Sequence, residues 1–189
     1  MSGPLFPQLD EVELWHHSML NGLDAMQALA NVQVVIPRAL EGELAAQIDE
    51  IRAFTFQEWL AWRAERVEHQ EMFATIALFA SFEGMLKRDF AWRATESQAL
   101  HHYSFLQYLP RKADGFVPLA RILACWKSIA VSLKNTQFEQ VIENLERAYQ
   151  DERNALAHGN NITVTPFPKI YADLVAAKLA FHSAVPDFL

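Results

Sequence analysis

The stretch Met72-Phe73-Ala74-Thr75-Ile76-Ala77-Leu78-Phe79-Ala80-Ser81-Phe82 decides the fold. Its apolar residues do not alternate, as a half-buried strand would require, and they fall on every side of a helical wheel. A helix that is apolar all round has to be enclosed by other elements. The run is too short to cross a bilayer, which takes about 20 residues. Its expected setting is therefore the central helix of a helical bundle.

The neighbouring segments agree. Thr55-Phe56-Gln57-Glu58 is a capping box, with Phe54 and Trp59 placed to staple it from N′ to N4. The helix it opens is expected to run to about Ala94, through a charged first half (Arg63, Glu65, Arg66, Glu68, Glu71). Upstream, Leu9 to about Asn31 reads as a helix with Asp10, Glu11 and Glu13 in its first turn, where acids suit the dipole. Pro37 breaks the pattern, and Arg38 to Ala53 reads as a second, more polar helix.

Downstream, a region from Ser97 to Leu109 ends at Pro110, and Arg111 to Gly115 reads as a polar loop. Pro118 opens a helix to about Leu133, with Leu119, Ile122, Leu123, Trp126 and Ile129 or Ala130 at core spacing. Thr136-Gln137-Phe138-Glu139 is a second capping box, and Phe138, Val141, Ile142, Leu145, Tyr149 and Leu156 form one stripe after it. Gly159 is a C′ stop, Ile162 to Thr165 a short extended piece, and Lys169 to about Ser183 the last helix. Nothing alternates long enough to make a sheet. The fold class is all-α: an antiparallel helical bundle with a four-helix core over residues 55–189, and an extra N-terminal helical arm over residues 1–54.

Composition narrows the function classes. In 189 residues, 51% are hydrophobic and 21% charged, with only 6 Gly and 8 Pro, which excludes disordered and collagen-like chains. Cys125 is the single cysteine, so neither a disulfide framework nor a cysteine zinc cluster is possible. The opening residues carry acids where a signal peptide needs a positive region. The expected setting is soluble, reduced and cytoplasmic, with no membrane association. Net charge is −7, which argues against a generally sticky nucleic-acid binder. The distribution is uneven: residues 1–83 carry −9, residues 84–134 carry +5 and residues 135–189 carry −3. A basic middle inside an acidic chain fits either a phosphate-binding face or a solvated helix surface.

Several chemistries are missing from the sequence. It holds no G-x-x-x-x-G-K-[ST], G-x-G-x-x-G or G-x-S-x-G. A di-iron bundle needs two E-x-x-H motifs, and only Glu13-Leu14-Trp15-His16 fits. The pairs His16-His17 and His101-His102 diverge by about 100° on a helix and do not share one metal easily. They read as surface or interface residues, and Cys125 reads as a small core residue.

One segment gathers polar groups where a core helix stops: Asp151-Glu152-Arg153-Asn154-Ala155-Leu156-Ala157-His158-Gly159-Asn160. On an ideal helix Arg153 lies at the edge of the apolar stripe, and His158 is about 140° further round. The two converge only if the helix ends or tightens near Gly159, or if a second chain supplies one of them. Without such convergence, His158 is simply a helix-end histidine suited to the dipole, and Arg153 a partner for a nearby acid such as Glu146.

Arg153-Asn154-Ala155-Leu156-Ala157-His158-Gly159 resembles the R-x4–6-H signature of HEPN domains, an all-helical family of nucleic-acid-associated proteins. Asn154 directly follows the arginine, as a polar residue often does there, and the motif precedes a final helix. Phe79 to Lys87, with Glu83 near its middle, is similar to an earlier helix of the family. The resemblance covers about residues 56–183. It implies a cofactor-free, metal-independent endoribonuclease acting at a composite homodimer site, in the manner of a toxin of a toxin–antitoxin or phage-defence pair, with an antitoxin protein as a possible partner. It further implies proton transfer by His158, transition-state stabilisation by Arg153, and orientation of the phosphate or the His158 ring by Asn154.

Such chemistry is physically sensible. RNA carries its own nucleophile in the 2′-OH, a histidine titrates near neutrality, and an arginine holds non-bridging phosphate oxygens. Glu83 reads either as the counter-ion of Arg153 or as a structural carboxylate. Arg88, Arg93, Arg111 and Lys112 are the candidate RNA-binding cations, needed to offset Asp151 and Glu152. Trp92 and Tyr103 could stack on bases or belong to the core. The competing readings are a non-catalytic interaction or RNA-binding module whose Arg/His motif serves dimer or partner docking, and a plain structural helical protein.

Overall fold

The computed structural model describes residues 7–31, 42–109, 117–158 and 165–188. The helices are α1 (Leu9–Asn31), α2 (Glu43–Ala53), α3 (Phe56–Thr95), α4 (His102–Leu106), α5 (Leu119–Ser132), α6 (Thr136–Ala148), α7 (Asn154–Ala157) and α8 (Phe167–Ala184), with a π-helical turn at Tyr149–Arg153 between α6 and α7. No strand occurs among the described residues, and the protein is an all-α helical bundle. Pro37, Gly159 and the extended piece from Ile162 to Val164 lie outside the described residues.

The chain forms two compact units, one of residues 10–74 and one of residues 1–9 with 75–189. The 40-residue helix α3 is continuous, and the units part inside it, between Ala74 and Thr75.

In the unit of residues 10–74, the capping box forms as its spacing demands. Glu58 Oε2 accepts from the Thr55 N–H at 2.7 Å, and Thr55 Oγ1 accepts from the Glu58 N–H at 3.3 Å. The staple differs from expectation, because Phe54 meets Trp62 (ring centroids 6.2 Å), and Trp59 stacks on Trp62 at 5.4 Å. Arg66 covers the same indole. Arg63 Nη2 pairs with Asp24 at 2.9 Å and ties α3 to α1.

The core of the other unit surrounds Trp126 of α5. Its ring packs edge-on against Phe105 of α4 (5.1 Å), Phe138 of α6 (6.0 Å), Phe181 of α8 (5.1 Å) and Phe188 of the tail (5.7 Å). Such edge-to-face pairs stabilise by about 0.5–1.5 kcal/mol each beyond area burial. From α3, Phe82 reaches Phe181 and Phe90 reaches Phe105. The apolar run is enclosed as its composition requires, with Ala74, Leu78, Phe79 and Phe82 buried, but Phe73 stands 58% exposed at its start.

The hairpin between α5 and α6 is tight. Lys134 adopts φ 54°, its N–H donates to Val131 O, and the Asn135 N–H donates to Ala130 O at 3.1 Å. This is a Schellman closure of α5. Asn135 then caps α6, its Oδ1 accepting from the Phe138 N–H at 3.0 Å. The expected box on Thr136 is displaced by one residue, since Asn135 already supplies the oxygen that the first turn needs.

Candidate functional site

The segment that resembles the HEPN signature does not continue α6 as an α-helix. At Tyr149 the ladder widens, and the Asn154 N–H donates to Tyr149 O, an i to i+5 bond. Single π turns of this kind inside helices are frequent at functional sites. Tyr149 anchors the turn. It is buried, its hydroxyl donates to Phe79 O on α3 at 2.7 Å, and its ring meets Phe79 edge-on at 5.0 Å. Burial, with Glu83 next, pushes the Tyr149 phenol well above its ordinary range, so it stays neutral and holds the turn as a fixed donor.

Arg153 ends the π turn with its side chain 40% exposed. Its Nη1 donates to Asn154 Oδ1 at 3.2 Å, and its Nη2 stands 3.9 Å from Glu83 Oε2. Glu83 is 17% exposed and is shared with Lys87, one turn along α3. Arg153, Asn154, Glu83, Tyr149 and Glu146 line one solvent-open cleft of about 210 Å³ against Leu119 and Leu123 of α5.

His158 follows one turn later and caps α7 at φ −100°, with its N–H on Asn154 O at 3.0 Å. Its ring is exposed and does not line the cleft. The chain therefore brings Arg153, Asn154 and Glu83 together and leaves His158 outside that group.

The basic residues divide differently from the sequence expectation. Arg88 is half-buried on α3. Arg93 is corrected from a phosphate contact to a core residue, because it is fully buried. Its Nε donates to Asp89 Oδ2 at 2.9 Å, its Nη1 to Leu100 O at 2.9 Å, and its Nη2 stands 2.8 Å from Asp187 Oδ1. Trp92, Phe105 and Trp126 surround its guanidinium at 5.2–5.7 Å. Arg111 and Lys112 lie outside the described residues. Tyr103 is 79% exposed.

The Arg93 cluster also orders the tail. Burial works against ionisation of Asp187, but the Leu100 N–H at 3.0 Å and Arg93 outweigh it and hold the carboxyl below the ordinary aspartate value. His102 Nδ1–H donates to Arg93 O at 2.6 Å. Cys125 is buried close by, its thiol pushed up to about 12 by burial and by Asp89, which makes it an inert core residue.

No three His, Cys, Asp or Glu side chains come together as a metal site among the described residues. None of the described helices is long and apolar enough to cross a membrane. Nothing in the sequence signals the π turn or Tyr149 as its anchor, since Tyr149 reads only as a member of the apolar stripe, whereas Glu146, named there as an acid within reach of Arg153, does line the same cleft. The HEPN resemblance rests on the residues quoted above, since no protein-family model, curated protein or solved structure matches the chain.

Proposed function

We propose that this protein is a metal-independent endoribonuclease that cleaves RNA by attack of the 2′-OH at a composite site between two copies of the chain, acting as the toxin of a toxin–antitoxin or phage-defence pair. The observation that supports this reading most is the Arg153–Asn154 pair. It sits at a π turn in a solvent-open cleft, with an exposed His158 one helical turn beyond.

In the reaction, Arg153 holds a non-bridging phosphate oxygen and offsets the charge that builds on phosphorus. His158 takes the 2′-OH proton as that oxygen bonds to phosphorus, and an acid protonates the departing 5′-oxygen. The products are a 2′,3′-cyclic phosphate end and a 5′-hydroxyl end. Because His158 does not line the Arg153 cleft of its own chain, the site draws His158 from the second copy.

A second reading, a non-catalytic interaction module, is favoured by the charge of the cleft. Two carboxylates, Glu83 and Glu146, line it beside the single cation Arg153. Cleavage of a mixed tRNA and single-stranded RNA pool in EDTA decides between them. The nuclease reading expects cleavage by wild type that is lost in both His158→Ala and Arg153→Ala. Intact RNA with folded, dimeric wild type overturns it in favour of the interaction module.

A further inference from the structure

The Arg153 cleft carries a charge mismatch for a phosphate ligand. Two carboxylates, Glu83 and Glu146, line it beside the guanidinium, and either one repels a phosphate. The two are not placed alike. Glu83 is engaged by the chain itself, through Lys87 and Arg153. Glu146 is half-buried and accepts no hydrogen bond among the described residues. Arg153 turns to Glu83 and Asn154, and Lys127, which feels the charge of Glu146, is bonded to Glu143 instead. A half-buried acceptor of this kind is matched only when a ligand brings donors to it.

The rest of the cleft suits one flat ring. Leu119, Ala120 and Leu123 of α5 give it an apolar surface, and Gln150 and Asn154 add amide groups. Its volume of about 210 Å³ lies below the range of about 300–1,000 Å³ that encloses a drug-sized ligand, which leaves room for a single base. Glu146, Gln150 and Arg153 follow the spacing i, i+4, i+7 and line the cleft together. Seven residues of helix rise about 10 Å. The span from the phosphorus of a nucleotide to the far edge of its own base is comparable. With Arg153 on a phosphate, the adjoining base therefore reaches Glu146.

Donor pattern selects which base. A carboxylate only accepts, through two oxygens side by side. Among the four RNA bases, guanine alone presents two adjacent donors on its Watson–Crick edge, N1–H and N2–H. Adenine and cytosine set a ring-nitrogen acceptor beside their amino donor, and uracil flanks its one N–H with two carbonyls. Those acceptors would face a carboxylate oxygen and be repelled. We propose that Glu146 is a specificity-determining residue, accepting the N1–H and N2–H of a guanine next to the scissile phosphate while Arg153 holds that phosphate. This role rests on the nuclease reading above. It makes the substrate single-stranded RNA cut beside guanosine, because pairing would occupy the same edge of the base.

Uridine pentamers with guanosine, inosine, adenosine or cytidine at the centre test this, with kcat/KM of the full chain measured in EDTA. Guanosine exceeds adenosine and cytidine by about tenfold or more, as a bidentate base contact should give. Inosine keeps N1–H but lacks the 2-amino group, and falls between. Glu146→Gln replaces one oxygen by a donor and brings the guanosine-to-adenosine ratio toward one. That variant retains the wild-type circular dichroism, since the side chain holds nothing in the fold.

Binding of the same labelled pentamers to His158→Ala, read by fluorescence anisotropy, separates this role from the cleavage chemistry. Equal cleavage of all four pentamers, or a guanosine preference unchanged in Glu146→Gln, overturns the role of Glu146 and leaves the nuclease standing. A folded wild type that cuts none of them, but binds the guanosine pentamer preferentially through Glu146, overturns the nuclease and keeps the base contact. Neither cleavage nor binding overturns both.

Discussion

Arg153 Nη2 lies 3.9 Å from Glu83 Oε2, and these two residues come from helices 70 positions apart in the chain. Glu83 is the less exposed of the two and is also held by Lys87. On the proposed nuclease reading, an incoming phosphate competes with this carboxylate for Arg153. At about 4 Å in a water-like medium the attraction is about 1 kcal/mol. Glu83→Gln should therefore tighten RNA binding about fivefold. Filter binding with a catalytically silent His158→Ala background measures it, and weaker binding would show that Glu83 positions Arg153 and does not restrain it.

Arg93 is the residue whose loss should unfold the protein. Arg93→Met leaves the buried Asp89 without that cation, and such a break costs about 3–5 kcal/mol. Urea unfolding reads the loss. Arg93→Met combined with Asp89→Leu should recover a large part of it, because the buried charges are then removed together. A double variant no more stable than Arg93→Met alone would refute the electrostatic account of the cluster.

Acid sensitivity follows from the same region, and its sign can be fixed. The Asp187 carboxyl is depressed, so its contribution is complete above the ordinary aspartate value of 3.8 and is lost as pH falls through the depressed value. His16 and His101 are held below 6.5, His16 by burial and then His17, His101 by burial and then Arg93. The unfolded chain takes those protons first, so stability also declines as pH drops below about 6.5. Thermal melts should show a lower Tm at pH 5 than at pH 7.5, with a smaller difference in His101→Asn. Asparagine suits the φ of 60° at that position and does not titrate. A Tm that is flat from pH 7.5 to 5 would contradict the assignment of these two histidines.

Lys134 sits at φ 54° in the hairpin between α5 and α6, where a Cβ is strained and the side chain is exposed. Lys134→Gly should stabilise the fold by about 1 kcal/mol, read as a higher urea midpoint with an unchanged m-value. Asn135→Ala should do the opposite by about 1 kcal/mol, since it removes the cap of α6.

Features set by local spacing were legible in the sequence. Leu9–Asn31 and the Thr55–Glu58 box are examples, because their signals lie within one or two turns. The burial of Arg93 was not, because Asp89 at i−4 reads equally well as an exposed helix pair, and the second partner, Asp187, comes from the far end of the chain. Phe73 shows the complementary limit. It belongs to a run that is apolar on every side, yet it falls beside the point where the two units part, and it remains exposed. At the candidate site the types of residue were legible and their directions were not. Arg153, Asn154 and Glu83 stand together, and the π turn that leads into Arg153 is a departure that an ideal wheel does not allow for.

That departure has a consequence for how the site can change. A π turn consumes about one residue more than an α turn, so everything after it is turned back by roughly 100° relative to an unbroken helix. Arg153, Asn154 and His158 thus owe their bearing to the turn staying wide, which the Tyr149 anchor secures. A substitution that released Tyr149 and let the ladder close at constant length would re-aim the motif by that angle. Deleting one residue such as Gln150 would also close the ladder into a plain helix, but the missing residue offsets the missing width and the motif would keep its bearing, so the site tolerates a change of length better than a change of anchor.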